Sequence, residues 1–219
     1  VTREEYCRPF DPVVKAYAHW YGFAPRELWQ TMTWRGVPAL KTPSDLWIYQ
    51  ELLTKIRPGL IIEFGSNIGG TAVFLGDVLT LLDVPKAKVL TIDVKDYEGR
   101  TPHRRVIYLQ GNPATEEAVM DIVSLAVTHS QGPVLIIEDA DHTYETSAKL
   151  LELYSPLVTP GSYYVVEDTG LGYYDDEPLP GVARAVLEFV NTHPEFSVDW
   201  ECERFGHTIA HGGFLRRAT

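Results

Sequence analysis

Two acidic clusters and one glycine-rich turn carry most of the chemistry that this 219-residue sequence offers. Glu138-Asp139-Ala140-Asp141-His142 follows the apolar run Val134–Ile137, and Glu167-Asp168 follows Tyr163–Val166. If both runs are strands, both clusters sit at carboxyl ends, the edge where open α/β sheets hold their ligand crevice. Carboxylates brought that close repel, so each needs a raised pKa or a cation. A hard divalent ion with oxygen ligands, Mg2+ or a similar metal, meets that need. Asp139, Glu167 and Asp168 would be its protein ligands, with water or substrate oxygens filling the rest. His142, three residues after Asp139, is placed to face the same crevice and take a proton from a substrate hydroxyl. Its ordinary pKa of about 6.5 suits that work, and a metal on the hydroxyl would lower the hydroxyl's own pKa. Asp141 reads more simply as a cap for the helix that follows.

The third feature is Leu60 to Gly70, Leu-Ile-Ile-Glu-Phe-Gly-Ser-Asn-Ile-Gly-Gly. It reads as a buried strand, a tight loop and the start of a helix. Such a loop aims free N–H groups and the positive end of the helix dipole at a ligand. Glu63 just before the loop and Asp93, at the end of Val-Leu-Thr-Ile-Asp, complete a site for a nucleoside-bearing cofactor. A dinucleotide site wants G-x-G-x-x-G, and here the G-x-G is absent. The E-x-G-x-x-x-G-G spacing instead resembles the first motif of S-adenosylmethionine-dependent methyltransferases. In those proteins the glycine loop passes under the methionine portion and the later acid holds the ribose hydroxyls.

The elements that must position these residues are legible as alternating patterns. Residues 1–44 form an aromatic, proline-rich arm with one short helix, Pro12–Tyr21, and turns at Trp34–Pro38 and Lys41–Pro43. Its expected role is a lid over a substrate pocket or a contact with a neighbouring subunit. Residues 45–219 form the main domain. Ser44 or Asp45 caps a helix over Leu46–Ile56, whose apolar positions share one face. Strands follow at Lys88–Asp93, Val106–Leu109, Val134–Ile137 and Tyr163–Val166, separated by helices that start at Thr115 and Thr143. A further helix covers Val182–Thr192. Strands alternating with helices predict an α/β parallel sheet. Two final strands, Phe196–Glu203 and Thr208–Leu215, joined at Phe205-Gly206, predict an antiparallel pair at one edge. The loop Thr169–Pro180 leaves the second acidic cluster and is expected to cover the acceptor pocket.

A net charge of −11 argues against a nucleic-acid or anionic-membrane partner. No apolar run reaches the length of a membrane span, and the first residues lack a signal-peptide pattern. With Cys7 and Cys202 out of any metal-site spacing, two free thiols in a reducing cytoplasm are expected.

The ordered segments resemble the cephalosporin hydroxylase and rhamnosyl O-methyltransferase family, related to the macrolide-sugar O-methyltransferases. The matching pieces are Trp34–Pro38, Lys41-Thr-Pro-Ser-Asp-Leu-Trp-Ile-Tyr-Gln50, Ile62–Gly70, Thr91–Asp93, Asp139–His142, Val166–Asp168, Arg204–Thr208 and Gly213–Arg216. The resemblance implies a Rossmann-like class I methyltransferase: a seven-stranded, mostly parallel sheet with helices on both faces and a C-terminal antiparallel hairpin. It implies S-adenosyl-L-methionine and Mg2+ as cofactors, a homo-oligomer, and methylation of a hydroxyl on a small natural product, often a sugar or antibiotic core. By motif match, Glu63, Gly65, Ser66, Asn67, Gly69, Asp93 and Asp139 touch the cofactor. Asp139, Glu167 and Asp168 bind metal, and His142 is the base. Two other readings stand beside this one: a metal-dependent hydroxylase using iron at the same acids, and a non-catalytic cofactor-binding partner protein.

Overall fold

The computed structural model describes residues 1–6, 11–23, 27–171, 179 and 181–219. The arm supplies α1 (Arg3–Tyr6), α2 (Pro12–Phe23), a 3-10 turn at Leu28–Thr31 and a small hairpin of β1 (Thr33–Trp34) and β2 (Val37–Pro38). Then come α3 (Pro43–Ile56), β3 (Leu60–Phe64), α4 (Gly70–Leu81), β4 (Lys88–Asp93) and β5 (Val106–Gln110). The rest is α5 (Glu117–Thr128), β6 (Val134–Glu138), α6 (Tyr144–Tyr154), β7 (Tyr163–Val166), α7 (Gly181–Thr192), β8 (Phe196–Val198) and β9 (Phe214–Arg217).

The main sheet has seven strands in the order β5-β4-β3-β6-β7-β9-β8. The run from β5 to β7 is parallel, and β9 is antiparallel to both β7 and β8. Side chains alternate across the pleat, and the two faces are buried by different helices. Leu60, Ile62, Phe64, Leu90, Ile92, Val134 and Ile136 pack with residues of α5, α6 and α7. Ile61, Val89, Leu135, Ile137, Tyr163 and Val165 pack with residues of α3 and α4. Strands covered on both faces have no solvent side to alternate toward, so β3, β6 and β7 read as continuous apolar runs. The chain leaves β3 toward β4 and β5, then returns to place β6 on the opposite side of β3. The crevice between the carboxyl ends of β3, β4 and β6 is therefore the topological switch point. Among the described residues, no helix is long and apolar enough to cross a membrane.

Four local expectations are corrected. Neither Ser44 nor Asp45 caps α3: Thr42 does, accepting from the Asp45 amide at 3.1 Å, with Pro43 in the first helical position. Thr115 does not cap α5. Glu116 precedes that helix, and its carboxylate accepts from the Asn112 amide at 2.8 Å. Asp141 is not the cap of α6, which is Thr143, but it accepts from the Thr143 amide at 3.2 Å and the Thr146 hydroxyl at 2.8 Å. The C-terminal strands are shorter than expected and are not joined by a tight turn at Phe205-Gly206. Asp199 starts a 3-10 turn at Trp200–Glu203, and the Glu203 carboxylate takes the Gly212 amide and the His211 ring, each at 2.7 Å. Side chains thus hold the segment between β8 and β9 where a ladder was expected. The expected lid, Thr169–Pro180, and Cys7 lie mostly or wholly outside the described residues.

Candidate active site at the carboxyl edge of the sheet

Strand register assembles the site. Phe64 pairs with Glu138, and Glu138 with Val166, so the residues that follow these strands leave side by side. The ladder continues past the strands: the Gly65 amide donates to Ile92 O at 2.8 Å, Asp139 to Phe64 O at 2.8 Å and Glu167 to Glu138 O at 2.9 Å. Gly65 is obligatory here. Its φ is +96°, and a Cβ added to it would lie 1.7 Å from the Asp139 carbonyl oxygen. The glycine lets the ends of β3 and β6 approach.

A cavity of about 710 Å³ opens at this edge, a size typical of small-molecule sites. Gly65, Asn67 and Asp93 line one part, and Asp139, His142 and Asp168 another. Asn112–Thr115, Tyr97 and Lys95 extend the Asp93 side. The arm contributes Tyr21, Glu27, Trp29 and Leu40. Asp93 is fixed by two amides: Asn67 N donates to its Oδ2 and Lys95 N to its Oδ1, both at 2.9 Å.

Not every expected residue reaches the cavity. Glu63 is buried beneath the loop and accepts from the Thr91 hydroxyl, the residue opposite it on β4. Burial pushes its carboxyl up to about 7, against the lowering pull of that hydroxyl and of Lys41. Ser66 is also buried, its hydroxyl 2.7 Å from that of Thr91. Gly69, with φ +91°, caps α4 and packs against Tyr108. These residues hold the loop from below. Arg100, from the basic loop before β5, stacks over Tyr97 and Tyr108 and donates to Asn67 O at 3.2 Å, which ties it to the same loop.

The acidic end is built around a residue that sequence reading passed over as part of a turn. Lys41 is 2% exposed, and its ammonium bridges Asp139 Oδ2 and Glu167 Oε2, the latter at 2.5 Å. Tyr49 of α3 donates its hydroxyl to Glu167 Oε1. Lys41, Thr42, Asp45 and Tyr49 all belong to the Lys-Thr-Pro-Ser-Asp-Leu-Trp-Ile-Tyr stretch, and all are nearly inaccessible. The one available signal was a lysine just before a helix whose buried face includes an aspartate. Burial alone would lower the Lys41 pKa, but the two carboxylates outweigh it and hold the ammonium charged. Burial raises Asp139 to about 6 and Glu167 to about 7, with Lys41 pulling both down.

His142, at φ +58°, lines the same cavity with Nδ1 2.8 Å from Asp168 Oδ2. Burial works against its charge, but the hydrogen bond and charge of Asp168, with Asp139 and Glu138 behind, raise it to about 9. Burial likewise opposes ionisation of Asp168, yet His142 pulls that carboxyl below its usual range. Asp139, His142 and Asp168 present ligand atoms within 4.8 Å of one another. Two carboxylates and one imidazole in a water-accessible cavity suit a hard divalent cation. Glu167, expected as a third ligand, faces the Lys41 ammonium and the Tyr49 hydroxyl in this structure.

A glycine loop and a fixed acid at the switch point, beside a carboxylate–histidine cluster on a seven-stranded sheet of this order, define a class I methyltransferase fold. Comparison with known proteins agrees. CmcI, solved with Mg and SAM, superposes with a TM-score of 0.67 over 91% of this chain and 84% of its own, at 22% identity. The rhamnosyl O-methyltransferase of Mycobacterium leprae is 34% identical over 218 residues, covering 96% of this chain and 93% of the relative. That of Mycobacterium tuberculosis is 31% identical, with coverage of 97% and 88%. The family model for rhamnosyl O-methyltransferase/CmcI matches residues 26–218, and the chain belongs to that family.

Proposed function

We propose that this chain is an S-adenosylmethionine- and Mg2+-dependent O-methyltransferase that methylates a sugar hydroxyl on a small natural product. The observation that carries the reading is the single cavity that joins Asp93 and the glycine loop to Asp139, His142 and Asp168. Asp93, held by two loop amides, is oriented to accept from ribose hydroxyls. Gly65 gives the methionine portion an approach free of a side chain. CmcI was solved with Mg and SAM, and the Mycobacterium relatives carry the name rhamnosyl O-methyltransferase.

Asp139 and Asp168 would hold the cation, with Glu167 alongside, and His142 would serve the acceptor. The bound metal would supply charge that acidifies the acceptor hydroxyl, and the cofactor supplies a methyl group on a sulfonium. The chain's own residues do the rest. Asp168 fixes the His142 ring through Nδ1; the ring, charged in the metal-free site, would give up its Nε2 proton beside a bound cation and so leave Nε2 to receive the hydroxyl proton. The cavity walls hold the two reactants in line, which is the main demand of a transfer that needs no covalent intermediate on the protein. The arm residues Tyr21, Glu27 and Trp29 line the same cavity and would shape the acceptor's place. The hydroxylase alternative has less support. A facial iron triad takes two histidines and one carboxylate, whereas the described cluster has one histidine and two carboxylates.

The test is transfer of labelled methyl from S-adenosylmethionine to rhamnosides, with and without chelator. Methylated product that disappears with chelator and returns with Mg2+ is the expected result. Cofactor binding without transfer to any hydroxylated acceptor would overturn the reading.

A further inference from the structure

The reading above leaves Lys41 without a task, although it is a cation buried as deeply as the acids around it. Its ammonium touches both Asp139 and Glu167, and it lines the same cavity. Its backbone is pinned as well: Lys41 O accepts from the Tyr21 hydroxyl at 2.9 Å, and the next residue caps α3. With the backbone fixed on both sides, the ammonium stays within reach of these carboxylates when a cation arrives. The site thus has three carboxylates, Asp139, Glu167 and Asp168, against one ammonium that stays; the His142 proton, also positive in the metal-free site, can leave through the open side of the cavity.

We propose that Lys41 sets the charge of the cation this site accepts: it supplies one positive charge itself and leaves two to be met, which selects divalent over trivalent ions. This rests on the reading that the site holds a divalent cation. The physical basis is that repulsion between the ammonium and a bound ion scales with the ion's charge. Removing the ammonium therefore strengthens binding of every cation, and of a trivalent ion more than a divalent one.

The experiment uses Mn2+, followed by electron paramagnetic resonance, and Tb3+, followed by luminescence sensitised by nearby aromatic rings, on wild type, Lys41→Gln and Lys41→Met. Glutamine keeps an N–H donor without the charge, and methionine keeps the stem. In either variant Mn2+ affinity should rise roughly tenfold and Tb3+ affinity roughly thirtyfold, the logarithms standing in the ratio of the ionic charges. Unchanged or weakened affinity, or an equal gain for both ions, overturns the proposal. A residue that only supported the fold would weaken both ions together. If the single variants do not fold, Lys41→Met/Glu167→Gln is compared with Glu167→Gln. Removing both members of a buried pair is better tolerated than removing one, and the double variant should bind Mn2+ more tightly than the single. A wild type that binds neither ion overturns the metal reading and this inference together, whereas a wild type that binds Mn2+ while the neutral variants show no gain overturns this inference alone.

Discussion

Substituting Gly65 by alanine tests whether the site depends on the close approach of β3 and β6. The added Cβ would lie 1.7 Å from Asp139 O and 2.6 Å from Asp139 C, both backbone atoms that cannot rotate away. Two costs add. Holding alanine in the left-handed region costs about 1–2 kcal/mol, and forcing packed backbone apart costs about 1–3 kcal/mol. The sum, about 2–5 kcal/mol, corresponds to a fall in Tm of about 10 °C at its middle for a chain of this size. Gly99 separates the two costs. It also has a positive φ, +80°, but nothing lies within 4 Å of its added Cβ. Gly99→Ala should therefore lose only the first cost, and its Tm should fall by about 4 °C. The assay is thermal melting of both variants, followed by calorimetric titration with S-adenosylmethionine. Gly65→Ala should also lose cofactor binding, because the displaced carbonyl belongs to Asp139. Equal melting shifts in the two variants, or wild-type cofactor affinity in Gly65→Ala, would refute the reasoning.

Asp93→Asn removes a carboxylate that accepts two amides at 2.9 Å; cofactor affinity should fall at least roughly tenfold, since charged hydrogen bonds are worth about 1.5–3 kcal/mol, and unchanged affinity in calorimetry would take Asp93 out of the cofactor site. In metal-free protein His142 should titrate near pH 9 by NMR. Its folded pKa lies above the unfolded value, so the stability it adds is complete below about pH 6.5 and is lost as pH rises through 9. Asp168→Asn should bring that midpoint down toward the ordinary histidine value, and a wild-type midpoint already there would contradict the ion pair. Tyr49→Phe leaves Glu167 Oε1 without its hydroxyl partner; urea unfolding should show a loss of about 1–3 kcal/mol, and no measurable loss would mean that the carboxylate is solvated in another way.

The sequence by itself determined the order of strands and helices, because strands buried on both faces leave uninterrupted apolar runs and their ends are marked by glycine, proline and acids. It also located the crevice: acids that follow strands in a parallel sheet meet at one edge, whatever the details of packing. That is why Asp93, Asp139, His142 and Asp168 could be read from their positions alone and are found lining one cavity. Helix starts were less legible. Thr42 and Ser44 are equally good caps by residue type, and the choice was made by the burial of Asp45 against Thr208 and Ile209, far along the chain. The C-terminal strands were overestimated because Glu203 meets Gly212 and His211 only after folding.

What only the tertiary structure decided was the partnership of each acid. Glu63 and Glu167 have the same sequence setting as their neighbours, yet one ends beneath the glycine loop on Thr91 and the other between Lys41 and Tyr49. Pleat direction and register settle which face a strand-end side chain takes, and a shift of one residue reverses it. Lys41 lies 98 residues from Asp139 in the chain. Beyond the helix and buried aspartate that follow it, nothing local distinguishes it from a solvated lysine in a turn; its charge enters the site because α3 is tied to Glu167 through Tyr49 and to Thr208 through Asp45, and long-range packing of that kind leaves little signature in the residues it joins.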